Sequence, residues 1–197
     1  IAVIGTGVIG TGWIIRMLAH NKKVMAFDLN IKQKSILIKE IKRSLPFVKR
    51  LFKKKNINLK NLSFKTSLIE TLKDSDFIQE CATENYKLKT KLISDIGKYS
   101  KSNSIISSSS SGLLPSIIFS KCKNPSRGII GHPFNPVYML PAVEIVPGKK
   151  TSKSILKKAN NFYRSISMNT IIVKKELPGY LSDRLQEALW REGLHII

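Results

Sequence analysis

The chain contains 197 residues, 42% of them hydrophobic, which is enough for the core of one domain and the start of a second. Its two cysteines, Cys81 and Cys122, form no CxxC motif, so we expect no metal site and a reducing, cytoplasmic environment. The apolar runs are too short to cross a bilayer, and no signal peptide precedes the first strand, so we expect no membrane partner.

The formal net charge is +21, an excess typical of proteins that bind nucleic acid, acidic membranes or polyanionic substrates. The lysines are concentrated between Lys32 and Lys65, with Lys53, Lys54 and Lys55 at the centre. No aromatic residues are interleaved there at base-stacking spacing and no nucleic-acid motif is present, so we expect no nucleic-acid partner. The pattern favours lysines on solvated faces, with a phosphate-rich substrate such as a coenzyme A ester as the alternative.

The chain opens with an apolar strand at residues 1–4, a glycine-rich turn and a helical pattern over residues 8–20. In the turn, Gly5 permits a tight bend, Gly7 lets the backbone approach a pyrophosphate, and Gly10 lets the helix pack on the strand. The helix N-terminus would present free N–H groups to the phosphates. The cofactor-binding residues predicted here are Gly5, Thr6, Gly7, Val8, Ile9 and Gly10.

A second predicted strand, at residues 24–27, ends in Asp28. The order of strand, GxGxxG, helix, strand and acid is the pattern of a dinucleotide-binding unit. The Asp28 carboxylate would accept hydrogen bonds from the adenosine ribose hydroxyls and would repel a 2′-phosphate. The sequence therefore predicts NAD, rather than NADP, as the cofactor.

Strands and helices alternate along the rest of the chain, which predicts an α/β fold with a mostly parallel, Rossmann-like sheet and helices on both faces. Asn30 is expected to cap a lysine-rich helix that reaches about Arg50, with a break at Pro46. The other predicted strands are 62–64, 76–82, 104–106, 127–131, 143–146 and 170–173, and the other predicted helices are 84–99, a short one opening at 113–116, and one that Thr151 or Ser152 caps and that ends near 165.

Five consecutive serines, residues 107–111, follow the predicted strand 104–106. Low-complexity sequence is one explanation of such a run. The other is functional, because ligands bind α/β sheets beyond the ends of the strands, where serine hydroxyls could meet the cofactor or the substrate.

His132 follows the predicted strand 127–131 and lies beside Pro133 in a proline-rich segment. The prolines prevent a helix there, and Pro133 favours an extended conformation of His132. A rigidly held histidine with an acid nearby, Glu144 on the next predicted strand, suits acid–base chemistry. The alternative is a buried turn with a structural histidine.

The pattern becomes helical again after a short linker, and Leu185 and Leu189 are expected to face inward. Trp190 is expected on a face that awaits a partner. We therefore predict two units: residues 1–177 form an NAD-binding domain, and residues 178–197 form the first helix of a truncated C-terminal helical domain.

These segments follow one another in an order that resembles the 3-hydroxyacyl-CoA dehydrogenase superfamily over essentially the whole chain. The segments that carry the resemblance are GTGVIG at the first turn, Asp28, Glu84-Asn85, Ser111-Gly112-Leu113, His132-Pro133-Phe134-Asn135-Pro136, Glu144, and Pro178-Gly179-Tyr180 with Arg184. Within the superfamily, residues 111–116, 131–141 and 183–192 are most similar to the carnitine dehydrogenases. The resemblance also implies a homodimer formed through the C-terminal domain.

The resemblance implies a role for four catalytic residues. His132 matches the base that takes the proton from the substrate's 3-hydroxyl while hydride leaves C3 for the nicotinamide. Glu144 matches the carboxylate that orients the imidazole and stabilises the imidazolium. Ser111 and Asn135 match positions that hydrogen-bond the substrate oxygen or help to place it.

Three further residues are implied in binding. Glu84 and Lys89 match positions near the nicotinamide half of the cofactor, with a helix-terminal acid and a solvated lysine as the structural alternatives. Asp183 stands where the acyl-CoA enzymes carry an asparagine. A fixed anion there suits a trimethylammonium group better than a thioester, especially with aromatic rings nearby. Alternatively, Asp183 only stabilises the first turn of its helix.

The expected function is the NAD-dependent oxidation of the 3-hydroxyl of L-carnitine to 3-dehydrocarnitine, with a small molecule as the only partner besides a second subunit. One alternative is a dehydrogenase of 3-hydroxyacyl-CoA or of another short 3-hydroxy acid. The other is a non-catalytic NAD-binding or structural protein.

Overall fold

The computed structural model describes residues 1–54 and 56–197, so Lys55 of the predicted lysine cluster lies outside the described residues. The strands are β1 (Ala2–Ile4), β2 (Val24–Phe27), β3 (Leu62–Lys65), β4 (Phe77–Glu80), β5 (Ile105–Ser108), β6 (Gly128–Pro133), β7 (Ala142–Pro147) and β8 (Asn169–Ile172). Within the described ranges they form one eight-stranded sheet in the order β3-β2-β1-β4-β5-β6-β7-β8. Neighbouring strands are parallel except β6 and β7, which are antiparallel.

Helices connect the strands. They are α1 (Val8–Ala19), α2 (Gln33–Leu51), α3 (Leu68–Leu72), α4 (Tyr86–Tyr99), α5 (Pro115–Ile118), α6 (Lys153–Ser165) and α7 (Ser182–Ile196). The side chain of Asn85 accepts the backbone N–H of Leu88 at 3.0 Å, and Ser152 accepts that of Ile155 at 3.2 Å. These two caps satisfy N–H groups that the first turn of a helix leaves free, which explains where α4 and α6 begin.

The sheet separates two apolar layers, because successive side chains of a strand point to opposite faces. On β1, Val3 belongs to the layer formed with α1, α2 and α6, whereas Ala2 and Ile4 belong to the layer on the other face. Trp13 of α1 and Ile96 of α4 are fully buried, one in each layer. The predicted fold class, a Rossmann-like mostly parallel sheet with helices on both faces, is confirmed.

The order of the strands places a crevice at the end of β1. The chain leaves β1 for β2 on one side, whereas β4 pairs with β1 on the other side. Ligands of open α/β sheets bind at such a switch point, outside the carboxyl ends of the strands. The glycine turn, Asp28 and Glu84 all follow strands that end at this edge.

Helix α2 differs from its predicted form. It begins at Gln33 rather than directly after Asn30, whose side-chain oxygen accepts a backbone N–H within the preceding turn. It also continues through Pro46, where the sequence predicts a break. The side chains of Ile41 and Val48, on either side of the proline, are buried in the core. Their packing outweighs the one helical hydrogen bond that the proline removes.

Three other expectations need correction. His132 lies inside β6 rather than beyond a strand end, because its backbone pairs with β7. Helix α3 has no counterpart among the predicted elements. Leu185 and Leu189 do not face inward: they are 57% and 76% exposed, since no part of the described chain covers this face of α7.

No helix within residues 1–54 and 56–197 combines the length and apolar character that a membrane span requires. The same residues contain no group of three or more histidine, cysteine, aspartate or glutamate side chains arranged to hold a metal ion.

Candidate active site

The glycine turn between β1 and α1 has the geometry that a close backbone approach requires. Gly5 has φ of +96°, and a Cβ on it would lie 2.8 Å from the carbonyl oxygen of Cys81. A Cβ on Gly10 would lie 1.9 Å from the carbonyl oxygen of Gly5. Space is open at Gly7, where a Cβ would have nothing within 4 Å. The first and third glycines thus fix the turn, and the second leaves its outer side accessible to a pyrophosphate.

Asp28, at the end of β2, is tied to this turn. Its Oδ2 accepts the backbone N–H of Thr6 at 3.1 Å and the Thr6 hydroxyl at 2.8 Å. Both groups border a cleft of about 740 Å³ that extends to Asn85 and Leu88 at the start of α4. The residues present therefore fit the adenosine half of NAD, with a carboxylate for the ribose hydroxyls and a helix N-terminus for the phosphates. Val8 is largely exposed, and Ile9 packs partly against the core.

His132 and Glu144 face each other across the antiparallel pair β6–β7. Their Cα atoms are register partners, and Nδ1 of His132 lies 2.7 Å from Oε2 of Glu144. The carboxylate is fully buried and the histidine is 8% exposed. A hydrogen bond at Nδ1 directs the other ring nitrogen, Nε2, away from the carboxylate, and a substrate hydroxyl would meet the imidazole there.

Four donors surround the Glu144 carboxylate. Besides His132 at Oε2, the Ser182 hydroxyl donates to Oε2 at 2.6 Å, and the backbone N–H groups of Leu181 and Ser182 each donate to Oε1 at 2.9 Å. Burial raises the pKa of Glu144, but the hydrogen bonds from His132, Ser182 and Leu181 together outweigh it, so the pKa lies below its ordinary value. The four hydrogen bonds therefore favour the ionised form of the carboxylate and fix its orientation.

Glu84, just before α4, holds the serine turn that follows β5. Its Oε1 accepts the hydroxyl of Ser110, the N–H of Ser111 at 3.1 Å and the N–H of Gly112 at 3.4 Å. Glu84 is thus in contact with the predicted substrate residue Ser111. Of the serine run, residues 107 and 108 belong to β5 itself, and Ser109 and Ser110 make internal hydrogen bonds.

Lys89 of α4 is not the solvated lysine that one reading of the sequence expects. Its side chain is 1% exposed, and Nζ lies 2.9 Å and 3.0 Å from the two carboxylate oxygens of Glu80. It also donates to the carbonyl oxygen of Ala82 at 2.9 Å and lies 3.5 Å from Glu84. Glu80, fully buried on β4, also accepts the hydroxyl of Ser108. This buried network lies directly beneath Glu84 and the serine turn.

Asp183 approaches the histidine–glutamate pair from the first turn of α7. Burial is the main reason why the pKa of Asp183 lies above its ordinary value; the charges of Glu144 and Glu84 raise it further, and His132 lowers it. The ring of Tyr180 packs edge-on against His132 with ring centres 5.7 Å apart, and Phe134 lies 6.4 Å away. Two aromatic rings therefore border the imidazole, and the charge of Asp183 acts on it from α7.

Asn135 lies apart from this group. It belongs to the loop between β6 and β7 and lines a groove of about 450 Å³ together with Thr6, Gly7 and Thr11. This loop is held against α1, because Nε of the buried Arg16 donates to the carbonyl oxygen of Val137 at 3.0 Å. The structure thus brings together His132, Glu144, Asp183, Glu84 and Ser111 at one end of the site, and places Asn135 beside the glycine turn.

Sequence reasoning misses two residues of this site, Ser182 and Glu80. Ser182 carries no motif of its own, and only its place beside Asp183 at a helix start could have drawn attention to it. The signal that could have identified Glu80 is its position as a charged residue inside an apolar strand, because such a residue needs a buried partner. That partner, Lys89, lies on the next helix.

Residues 1–177 match the model of the family described as "3-hydroxyacyl-CoA dehydrogenase, NAD binding domain". An L-carnitine dehydrogenase from Staphylococcus epidermidis is 43% identical over the whole chain, which covers 61% of that protein. An L-carnitine dehydrogenase from Oceanobacillus iheyensis is also 43% identical, and the chain covers 64% of it. The chain thus spans about three fifths of the length of these curated relatives.

Solved structures share the fold. The (S)-3-hydroxybutyryl-CoA dehydrogenase from Ralstonia eutropha superposes with a TM-score of 0.86 at 27% identity, over 98% of this chain and 71% of that one. The match at residues 1–177 covers most of the chain and is specific to an NAD-binding domain, which confirms the predicted cofactor. The chain therefore belongs to the 3-hydroxyacyl-CoA dehydrogenase family.

Proposed function

We propose that this chain is the cofactor-binding part of an NAD-dependent dehydrogenase that oxidises the 3-hydroxyl group of L-carnitine to 3-dehydrocarnitine. The observation that carries the proposal is the buried pair of His132 and Glu144, 2.7 Å apart, on the same sheet as the dinucleotide turn. The carboxylate that orients this imidazole is itself fixed by three further hydrogen bonds, from Leu181 and Ser182.

In the proposed mechanism, His132 acts as the general base. Nε2 accepts the proton of the 3-hydroxyl as the carbonyl forms, and Glu144 stabilises the resulting imidazolium through Nδ1. NAD, when bound, supplies the acceptor for the hydride that leaves C3. Ser111, held by Glu84, would donate a hydrogen bond to the substrate oxygen, and Asn135 would help to place the ligand at the glycine turn.

Asp183 supports carnitine as the substrate. Its carboxylate is close enough to His132 for their charges to interact, and the rings of Tyr180 and Phe134 border the same imidazole. A trimethylammonium group is attracted both to an anion and to the faces of aromatic rings. The curated relatives at 43% identity are named L-carnitine dehydrogenases, which supports the same substrate.

A second candidate is a dehydrogenase of 3-hydroxyacyl-CoA. The formal charge of +21 favours it, because a coenzyme A ester carries several phosphate charges whereas carnitine carries a cationic group. Exposed lysines are screened by salt over about 10 Å, however, so the local anion at Asp183 should count for more at the site.

We further propose two structural units, residues 1–177 and a helical unit that begins at residue 178. The apolar side chains of α7 are exposed, including Leu189 at 76% and Trp190 at 68%. In this proposal a C-terminal helical domain covers them and forms a homodimer, with the small-molecule substrate bound between the units.

The test is a turnover assay on the product of the full reading frame. NADH formation is followed with NAD and either L-carnitine or 3-hydroxybutyryl-CoA. We expect turnover on L-carnitine, and a loss of at least about a hundredfold in the His132→Gln variant. Turnover on the thioester alone would overturn the substrate, whereas NAD binding without turnover on any 3-hydroxy acid would indicate a non-catalytic protein.

A further inference from the structure

The Glu144 carboxylate joins two parts of the molecule. On one side it contacts His132 of β6, and on the other it accepts three hydrogen bonds, two from Ser182, the first residue of α7, and one from Leu181 before it. The start of helix α7 is therefore hydrogen-bonded to Glu144, the same residue that contacts His132.

The two carboxylate oxygens are used differently. Oε1 accepts only backbone N–H groups, from Leu181 and Ser182. Oε2 is shared between Nδ1 of His132, at 2.7 Å, and the hydroxyl of Ser182, at 2.6 Å. The backbone contacts fix the position of the carboxylate, and the hydroxyl decides which way Oε2 points. A change at the Ser182 side chain would thus alter the hydrogen bond to His132 and leave the start of the helix intact.

We propose that Ser182 is a positioning residue for the dehydrogenase reaction: its hydroxyl holds Oε2 of Glu144 in line with Nδ1 of His132 and so fixes the imidazole for proton transfer. This inference rests on the proposed role of His132. The orientation of the histidine then depends on the placement of α7, because Ser182 also supplies one of the two N–H groups that donate to Oε1 of Glu144.

Other charged or titratable groups also face the pair. Asp183 interacts electrostatically with His132 and Glu144 from α7, Glu84 interacts with Asp183 from the start of α4, and Tyr180 packs on His132 from the linker. A Ser182→Ala change keeps these charged groups and the Tyr180 ring, although it removes a hydrogen bond from Ser182 that lowers the pKa of Asp183. It removes one of the hydrogen bonds that lower the pKa of Glu144, so this pKa should rise.

The experiment compares Ser182→Ala, Ser182→Thr and the parent protein, all expressed from the full reading frame. Ser182→Ala is expected to lower kcat for carnitine oxidation by about tenfold, to leave KM for NAD unchanged, and to move the acid limb of the kcat profile to higher pH. Ser182→Thr keeps a hydroxyl and should restore kcat to within about twofold of the parent. Ser35→Ala is the matched control, because Ser35 also lies in the first turn of a long helix but donates to a backbone carbonyl.

A second readout does not depend on the substrate. The Nδ1 proton of His132, assigned by its absence in His132→Gln, should give a downfield NMR signal that shifts in Ser182→Ala and stays in Ser182→Thr and Ser35→Ala. If the parent protein does not oxidise carnitine but the signal behaves in this way, the proposed function fails and the positioning role stands. An unchanged signal together with an unchanged pH profile in Ser182→Ala would overturn the inference. If Ser182→Ala does not fold, Ser182→Cys, with its weaker donor, decides by the same outcomes.

Discussion

The buried ion pair between Lys89 and Glu80 gives the sharpest stability prediction. Both side chains are within 1% of complete burial, and Nζ contacts both carboxylate oxygens. Lys89→Met keeps a long flexible side chain but removes the cation. The Glu80 carboxylate would then retain only the N–H of Ala82 and the hydroxyl of Ser108 as donors.

Removing one partner of a buried pair typically costs about 3–5 kcal/mol, because the other charge is left uncompensated. Domains are typically stable by about 5–15 kcal/mol, so the expected loss is a large share of the total. In urea the unfolding midpoint should fall by at least about 1 M, since slopes for small proteins are about 1–3 kcal/mol per M. Circular dichroism at increasing urea concentrations measures the midpoint directly.

Two variants make the test specific. Lys91→Met removes an exposed lysine from the same helix and should change the free energy of unfolding by no more than about 0.5 kcal/mol. The double variant Lys89→Met/Glu80→Met removes both charges and should regain most of the lost stability. A Lys89→Met variant that unfolds like the parent but binds NAD weakly would refute this reasoning, and would instead support a direct contact between Lys89 and the cofactor.

The remaining predictions concern the strand, the cofactor and pH. Gly131→Ala should destabilise the fold by about 1–3 kcal/mol, read as a lower Tm, because the new Cβ would lie 1.8 Å from the Tyr163 hydroxyl; an unchanged Tm would mean that the tyrosine moves freely. Asp28→Asn should weaken NAD binding about tenfold in a fluorescence titration and narrow the preference over NADP; an unchanged NAD/NADP ratio would contradict the role given to Asp28. Glu144 has a folded-state pKa below its ordinary value of 4.5, so its contribution to stability is present above about pH 4.5 and is lost as the pH falls through the folded value. When the pH is lowered from about 5 to about 3, the free energy of unfolding of Glu144→Gln should therefore fall less than that of the parent. Equal falls, measured by urea titration at each pH, would contradict an ionised, hydrogen-bonded carboxylate at Glu144.

The dinucleotide turn could be predicted from sequence because its constraints are local. Gly5 and Gly10 belong to one turn, and Asp28 follows the very next strand. The backbone geometry alone demands glycine at residues 5 and 10. The pairing of His132 with Glu144 was also accessible, since two predicted strands with an intervening proline-rich loop bring these residues near each other.

The parts that were not predicted depend on contacts between distant segments. The continuation of α2 through Pro46 is decided by core packing on either side of the proline. The role of Ser182 requires that the start of α7 meets β7, and nothing in the local sequence indicates that meeting. The family resemblance predicts Lys89 near the cofactor, but the burial of Lys89 against Glu80 depends on how α4 packs on the sheet.

The antiparallel pairing of β6 with β7, the single such pairing in the described sheet, has a consequence for the tolerance of the site to change. Because β6 and β7 run antiparallel, the pair of His132 and Glu144 lies close to the loop that joins these strands, residues 134–141. Insertions in that loop would lengthen a connection without moving either residue along its strand. A single residue inserted into β7 before Glu144 would turn the carboxylate to the other face of the sheet. Length variation among natural variants of this protein should therefore spare the two strands.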